Sequence, residues 1–185
     1  MSGAGVSMLV NVPNLITIGR ILLVPLVVWS ITSGNFQLAF WLFVAAAVSD
    51  GLDGYLATRL KAKSEFGAYL DPLADKALLM SIYVTLGIAS HLPLWLVIAV
   101  VSRDIMIVGA VVVAWIVGKP ITIQPLVVSK LTTLAQILLA TLVLASNGFG
   151  FDPGLVFEVM VAAAAVMTGL SAAAYLAAWT RHMAS

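Results

Sequence analysis

The sequence predicts an all-α integral membrane protein with six transmembrane helices, and three observations support this fold class. The mean hydropathy is +1.12, and only 9% of the 185 residues are charged. Six apolar windows are long enough to cross a hydrocarbon layer about 30 Å thick, which requires about 20 apolar residues per helix. This composition excludes an ordinary soluble globular domain. The absence of cysteine excludes disulfides and thiolate chemistry.

Turn-forming or basic residues separate the six windows in chain order. The windows, placed to within about two to four residues at either end, are 14–33, 36–58, 67–89, 93–117, 125–146 and 155–179. Their joints are marked by Pro13, Gly34, the basic connection 59–65, Pro93, Gly118 with Pro120, and the stretch 148–154. Because little chain remains between the windows, we expect residues 1–185 to form a single membrane-embedded domain.

Lys and Arg alternate between the connections, and this alternation predicts an orientation. Residues 1–13 and the connections 33–36, 89–92 and 146–153 contain neither residue. The remaining connections contain Arg59, Lys61, Lys63, Lys119 and Arg181. Since cytoplasmic connections carry the excess of Lys and Arg, both termini should face the cytoplasm, and we expect a location in the bacterial inner (cytoplasmic) membrane. Tryptophans favour helix ends at the membrane surface, and all five lie near predicted ends: Trp29, Trp41, Trp95, Trp115 and Trp179.

Ionisable residues lie at one depth in the predicted bundle. With a rise of about 1.5 Å per residue, eight of them fall in the cytoplasmic halves of their helices: Arg20, Asp50, Asp53, Asp71, Asp75, Arg103, Asp104 and Lys130. Charges inside a membrane are costly, so they indicate a functional site, here near the cytoplasmic side. The alternative is a single cluster of internally satisfied salt bridges.

Four of these residues are acids on two neighbouring windows. Asp50 and Asp53 share one helix face, as do Asp71 and Asp75, because residues three or four apart meet on a helix. Four adjacent carboxylates repel one another unless a counter-charge is present, so we expect one or two divalent cations. Oxygen ligands without His or Cys favour Mg²⁺ or Mn²⁺, with Ca²⁺ as a further option, over zinc.

Small residues lie beside the acids, at Gly54, Ala57 and Gly67. They either allow close helix packing or leave room for a bulky ligand. Mg²⁺ usually binds through carboxylates together with phosphate oxygens of a substrate. The second interpretation therefore indicates a nucleotide or a phospholipid head group as the ligand.

The spacing of these residues carries a resemblance to a known family. The motif DxxDGxxAR(x8)GxxxDxxxD of the CDP-alcohol phosphotransferases is matched, at identical spacing, by Asp50, Asp53, Gly54, Ala57, Gly67, Asp71 and Asp75. Weaker similarity extends from "NVPNLITIGRILLVPLVV" through "SKLTTLAQ". One position departs from the pattern, because Thr58 stands where the motif has Arg, and Arg59 follows it.

The resemblance implies a six-helix membrane enzyme, usually a homodimer, that transfers a phosphatidyl group from CDP-diacylglycerol to an alcohol and releases CMP. By motif position, two Mg²⁺ or Mn²⁺ ions would be held by Asp50, Asp53, Asp71 and Asp75. Asp75 would also be the catalytic base that takes the proton of the acceptor hydroxyl. The residues that would bind the nucleotide are Asp53, Gly54, Ala57, Gly67 and, if the helix continues that far, Lys61.

A second set of charges is basic and consists of Arg20, Arg103 and Lys130. These residues either neutralise Asp104 and the other acids or form a pocket for an anionic acceptor. Arg103 is the first choice for the pocket, because a guanidinium fork suits phosphate oxygens. The region around Arg103 resembles that of bacterial phosphatidylglycerophosphate synthases, which commonly carry Arg-Glu here and a second Arg about two helical turns after the first. Here Asp104 and Val111 occupy those positions.

In lacking the second Arg and in carrying the segment "SKLTTLAQ", this sequence resembles the cardiolipin synthases of the eukaryotic type, whose acceptor is phosphatidylglycerol. We therefore expect a glycerol-containing acceptor, with phosphatidylglycerol, which would give cardiolipin, ahead of glycerol 3-phosphate. Inositol phosphates are less favoured. The other expected partners are membrane lipids, and we expect no nucleic acid.

A divalent-cation transporter is the competing class, since it would also place acids inside a membrane. A transport path requires polar residues in both halves of the bilayer, and the outer half offers only Asp152 and Glu158. A scaffold protein would not require four aligned carboxylates. The polar residues expected to support the site through hydrogen bonds are Asn14, Thr17 and Ser129.

Overall fold

The computed structural model describes the backbone at residue 19 and over residues 21–60, 65–116 and 127–184, and the side chains at residue 19 and over 21–49, 76–109 and 127–180. In these ranges the chain is helical apart from short connections. The helices are α1 Ile21–Thr32, α2 Phe36–Leu60, α3 Glu65–Ile88, α4 Leu94–Ile116, α5 Val127–Phe149 and α6 Gly154–Ala184. The prediction of an all-α fold is confirmed for the described part of the chain.

The predicted windows correspond to these helices, with corrections at two joints. Helix α6 continues to Ala184 beyond the predicted end at 179, so Arg181 lies within the helix rather than after it. The physical reason is that residues 180–184 contain no glycine or proline that would end a helix. Gly148, predicted as the start of a loop, lies in the last turn of α5.

Local signals in the sequence turn the chain between α1 and α2. Gly34 has a φ of 75°, a left-handed conformation that glycine adopts without steric cost. Its N–H donates to the carbonyl oxygen of Ile31 at 3.0 Å, and the Asn35 N–H donates to that of Ser30 at 2.8 Å, which is the Schellman pattern of a helix C-terminus. The Asn35 side-chain oxygen then accepts a hydrogen bond from the Leu38 N–H at 3.2 Å and caps the start of α2. The predicted joint at Gly34 is confirmed.

The described helices belong to two compact units. The first contains α1, α2, most of α3 and the last turns of α5. Within it, Gly148 of α5 lies against the start of α2, since a Cβ atom added to this glycine would be 2.9 Å from the Gln37 backbone nitrogen. The neighbouring ring of Phe149 meets that of Phe40 edge-on, with centroids 5.3 Å apart.

The second unit contains α4, the remainder of α5, and α6. Helix α4 packs against α6, and each helix buries residues at three- or four-residue spacing. The buried positions on α4 are Leu96, Val97, Val100, Arg103 and Asp104, and those on α6 are Val161, Ala164, Thr168 and Ser171. The buried positions of α5 in this unit are Thr132, Gln136, Leu139, Ala140 and Val143. This unit therefore places a charged and hydroxyl-bearing segment next to an apolar core.

Polar side chains are buried in both units, whereas many large apolar side chains point outward. The buried polar set is Ser30, Thr85, Arg103, Asp104, Thr132, Gln136, Ser146, Thr168 and Ser171. The exposed apolar set on α6 alone is Leu155, Val156, Val159, Val166, Leu170 and Leu176. Buried polar groups together with many exposed large apolar side chains suit an exterior in contact with lipid.

Two helices of the described part are long and apolar enough to cross a membrane, Val127–Phe149 and Gly154–Thr180. The described apolar portions of the first three helices, Ile21–Thr32, Phe36–Ser49 and Lys76–Ile88, are shorter. The presence of six transmembrane helices stays a prediction.

Candidate functional site

The four predicted metal-binding acids lie on two consecutive helices. Asp50 and Asp53 belong to α2, and Asp71 and Asp75 belong to α3. Because the backbone of each segment is continuously helical, the two acids of each pair are placed on one side of their helix. Some predicted site residues fall outside the described part of the chain: Asn14, Thr17, Arg20 and Lys61, the side chains of Asp50, Asp53, Ala57, Asp71 and Asp75, and the surroundings of Gly54 and Gly67. Metal and nucleotide binding by these residues therefore stay predictions.

Among the described side chains, a polar cluster surrounds Arg103 of α4. Arg103 is 3% exposed and Asp104 is 6% exposed. Both are buried because they continue, at helical spacing, the face of α4 that carries Leu96 and Val100. A buried guanidinium is costly unless its charge is paired and its N–H groups are hydrogen-bonded. Its neighbours meet both requirements.

Three helices hold the guanidinium of Arg103. Its Nη1 donates to Oδ1 of Asp104 at 2.5 Å, which pairs the charge within α4. Its Nη2 donates to Oγ of Ser129 on α5 and to Oγ of Ser171 on α6, both at 2.6 Å. Its Nε donates to the same Ser171 oxygen at 3.1 Å. The ring of Tyr175, one turn after Ser171, lies 5.8 Å from the guanidinium carbon, within the range of a cation–π interaction.

Two further polar contacts join α5 to α6 beside this cluster. The Thr132 hydroxyl donates to the Met167 carbonyl oxygen at 2.9 Å. The Gln136 side-chain nitrogen donates to the Thr168 hydroxyl oxygen at 3.3 Å. The polar residues of α5 at 129, 132 and 136 are three and four apart, so they lie on one face. The face of α5 toward α6 therefore carries polar groups over about two helical turns.

A groove of about 270 Å³ between α4 and α6 reaches this cluster. Arg103 and Thr168 form the buried polar part of its wall. Ala165 and Gly169 leave space along it, and a Cβ atom added at Gly169 would meet no other atom within 4 Å. The buried Arg103 therefore borders an opening in the surface of the second unit.

The structure describes the side chains of two of the three predicted acceptor-binding residues. Arg103 lies in the buried cluster, and its contact with Asp104 is the salt bridge that the sequence offered as an alternative role. Lys130 is exposed on α5, next in the chain to Ser129. The binding of an acceptor by Arg103 and Lys130 stays a prediction.

The hydrogen bond predicted for Ser129 is present, and its partner is Arg103. Ser171, by contrast, is not among the predicted residues, because α6 carries no residue of the family motif. A signal for it exists in the spacing of Thr168, Ser171 and Tyr175, which places three polar groups on one face of α6 within the otherwise apolar stretch 159–178.

The helical fold and the buried cluster around Arg103 indicate the class of protein, and a comparison of sequences identifies the family. The described residues are mostly helical, with many apolar side chains exposed and a charged and hydroxyl-bearing cluster buried, an arrangement that suits a helical membrane protein. A sequence model of the CDP-alcohol phosphatidyltransferase family matches residues 10–174. The chain belongs to the CDP-alcohol phosphatidyltransferase family, which confirms the resemblance drawn from the acidic motif.

Curated relatives of this chain have names that state two related activities. The cardiolipin synthase (CMP-forming) of Rattus norvegicus is 30% identical over 181 residues, a match that covers 89% of this chain and 60% of the rat protein. The human protein of the same name is 29% identical over the same shares of both chains. The CDP-diacylglycerol–glycerol-3-phosphate 3-phosphatidyltransferase of Bacillus subtilis is 33% identical over 153 residues, covering 74% of this chain and 78% of that protein. This chain spans 60% of the length of the two mammalian cardiolipin synthases.

Proposed function

We propose that this chain transfers a phosphatidyl group from CDP-diacylglycerol to the hydroxyl of a glycerol-containing acceptor and releases CMP. The acceptor is phosphatidylglycerol, and the product is cardiolipin. The observation that carries this proposal is the family match over residues 10–174, which includes all seven matched positions of the acidic motif on α2 and α3. Cardiolipin synthases named as CMP-forming are among the relatives.

In this reaction the motif residues of α2 and α3 bind the donor and move one proton. Asp75 accepts the proton of the acceptor hydroxyl while the hydroxyl oxygen forms a bond to the lipid-side phosphorus. The bond from that phosphorus to the bridging oxygen breaks, and CMP leaves with the electron pair. Gly54, Ala57 and Gly67 leave room for the nucleotide beside the acids.

The chemistry of the acids fits a pair of divalent cations. Asp50 with Asp53, and Asp71 with Asp75, are carboxylate pairs at spacings that share a face of a continuous helix. Carboxylate oxygens are the protein ligands that Mg²⁺ and Mn²⁺ prefer. These four residues would hold the ions, which when bound neutralise the diphosphate and stabilise the charge of the leaving CMP. We infer a metal-dependent enzyme on this basis.

Arg103 supplies the acceptor site in this proposal. A guanidinium presents paired N–H groups to phosphate oxygens, and Arg103 borders the groove between α4 and α6. Val111 stands where a second acceptor-binding Arg would favour glycerol 3-phosphate, so phosphatidylglycerol is the first candidate. Glycerol 3-phosphate is the second candidate, because the relative from Bacillus subtilis is named for it.

Acceptor profiling tests the proposed reaction directly. The purified full-length chain would be given CDP-diacylglycerol and Mg²⁺ or Mn²⁺ with phosphatidylglycerol, glycerol 3-phosphate or inositol phosphate in turn, and released CMP would be measured. We expect the fastest CMP release with phosphatidylglycerol and no release without metal. Turnover of glycerol 3-phosphate alone would replace the first candidate by the second, and metal flux into liposomes without lipid turnover would instead favour a transporter.

We further propose that the active site lies near the cytoplasmic side of a bacterial inner membrane, in a single membrane domain that forms a homodimer. The orientation is supported by the Lys and Arg residues of the connections, all of which follow the second, fourth and sixth predicted windows.

A further inference from the structure

Ser171 makes two hydrogen bonds to the guanidinium of Arg103 from a helix that contains no residue of the acidic motif. It is completely buried on α6. The proposed transfer reaction has no step that uses a hydroxyl at this position. The two hydrogen bonds of Ser171 to Arg103 therefore require a separate explanation.

The geometry around Arg103 shows what these two bonds do. A guanidinium is planar and carries five N–H groups. Among the described side chains, four are used: two for Ser171, one for Ser129 and one for Asp104. The Ser171 oxygen bridges Nε and Nη2, so it makes two of the four hydrogen bonds that restrain rotation of the plane about the Cδ–Nε bond. The fifth N–H, on Nη1, is the one that these contacts leave for another ligand.

We propose that Ser171 is a positioning residue, which holds the guanidinium of Arg103 in the orientation that binds the phosphate group of the acceptor. This inference rests on the proposed function. Asp104 and Ser129 contact Nη1 and Nη2, so loss of the Ser171 hydroxyl removes the described partner of Nε and leaves the plane held by two of its four hydrogen bonds. The N–H of Arg103 that remains for a ligand is then held less firmly in its direction, beside the groove that Arg103 lines.

A purely structural role is the competing explanation, in which Ser171 does no more than tie α6 to α4. The two roles differ in what they change. A structural tie affects the stability of the fold and leaves the KM of each substrate alone. A positioning residue changes the KM of the acceptor and leaves the KM of CDP-diacylglycerol alone, because only the acceptor meets Arg103.

The experiment compares Ser171→Ala, Ser171→Thr and Arg103→Lys, together with the double variant Arg103→Lys/Ser171→Ala, as full-length protein in detergent and lipid. CMP release gives kcat and the KM of each substrate, and thermal denaturation gives Tm. Ser30→Ala is the matched control, because Ser30 is also completely buried and its hydroxyl donates only to the Leu26 carbonyl oxygen of its own helix, at 2.7 Å, among the described contacts.

We expect Ser171→Ala to raise the KM of phosphatidylglycerol about tenfold, as for the loss of a hydrogen bond to a charged group. The KM of CDP-diacylglycerol should stay within about twofold, and Ser30→Ala should change neither KM. Ser171→Thr keeps the oxygen and should restore the acceptor KM. In the Arg103→Lys background, Ser171→Ala should add less than about twofold, since its target is gone.

An unchanged acceptor KM in Ser171→Ala, with or without a lower Tm, would overturn the positioning role. An effect of Ser171→Ala that is as large in the Arg103→Lys background as in the wild type would overturn it too. If the Ser171→Ala protein cannot be obtained, Ser171→Cys is used instead, because its sulfur accepts hydrogen bonds more weakly than oxygen. A KM of phosphatidylglycerol in Ser171→Cys equal to that in Ser171→Thr would contradict the proposal. Wild-type protein that releases no CMP with any acceptor would overturn the proposed function itself, a result distinct from all of these.

Discussion

At the scale of single residues, one ion pair organises the polar interior of the second unit. Arg103 and Asp104 are both more than nine-tenths buried, and they are joined at 2.5 Å. In a medium of low dielectric constant, removing one partner leaves an uncompensated charge, whereas removing both leaves neutral side chains. The stability of this region therefore depends on the pair being complete.

Asp104→Ala is expected to lower the free energy of unfolding by about 3–5 kcal/mol, because the charge of Arg103 loses its partner. The double variant Arg103→Ala/Asp104→Ala should lose less than Asp104→Ala alone. Denaturant titration of the detergent-solubilised protein, followed by circular dichroism, compares the two. A double variant less stable than Asp104→Ala would show that the pair does not behave as a buried ion pair.

Substitution of the acids on α3 tests the chemistry proposed for them. Asp71→Asn and Asp75→Asn should each abolish metal-dependent CMP release, and loss of the general base alone accounts for a factor of about 10²–10⁴. Both variants should insert into membranes like the wild type. Asp152→Asn is the control, because Asp152 is exposed and Asn can keep its hydrogen bond from the Gly154 N–H. Full activity of both α3 variants would refute the assignment of metal ligands and base.

At the scale of helices, hydropathy is sufficient to place the elements but not their contacts. The windows 36–58, 67–89 and 93–117 differ by only a few residues from α2, α3 and α4, because apolar length and turn residues determine where such helices begin and end. The end of α6 is not predicted correctly because no residue there breaks a helix.

Contacts between helices are set by three-dimensional packing, so the sequence reveals them only in part. Ser129 is expected to support the site, because it lies in a segment with family resemblance. Ser171 lies beyond the segments on which the sequence resemblance was drawn, and its contacts become visible only when α6 is placed beside α4. Gly148 is a turn signal in the sequence, although the structure uses its missing side chain for close approach of α5 to α2.

Gly148→Ala tests that close approach. The added Cβ would lie 2.9 Å from the Gln37 backbone nitrogen and 3.1 Å from its Cα, so backbone must shift, at a cost of about 1–3 kcal/mol. Gly109→Ala is the matched control on α4, because a Cβ at that helical glycine meets nothing within 4 Å. Thermal denaturation in detergent should give a lower Tm for Gly148→Ala and an unchanged or higher Tm for Gly109→Ala. Equal Tm values for the two variants would mean that α5 can move away from α2 without loss of stability.

At the scale of the whole molecule, the outward-facing apolar side chains and the family match indicate a membrane protein, while its orientation rests on the distribution of Lys and Arg. The chain contains no cysteine, so a single introduced thiol can be labelled without background. Ser33, exposed in the connection between α1 and α2, and Ser64, in the basic connection 59–65, are predicted to lie on opposite sides of the membrane.

In intact cells, a membrane-impermeant thiol reagent should label Ser33→Cys and should label Ser64→Cys only after the cells are permeabilised. The expected difference follows from the positive-inside rule. Labelling would be quantified by a mass shift on a gel, with the cysteine-free wild type as the blank. Ready labelling of Ser64→Cys from outside would reverse the proposed orientation and move the active site to the other side.

The polar face of α6 limits how this helix can vary in natural chains. Acyl chains are interchangeable neighbours, so Leu, Ile, Val and Phe can replace one another at positions such as Val159 and Leu170 with little effect. The hydroxyls of Thr168 and Ser171 have no such freedom, since turning the helix by one residue swings them through about 100°. The two hydroxyl oxygens therefore fix the rotation of α6 about its own axis. Substitutions among apolar residues at its exposed positions should leave that rotation unchanged.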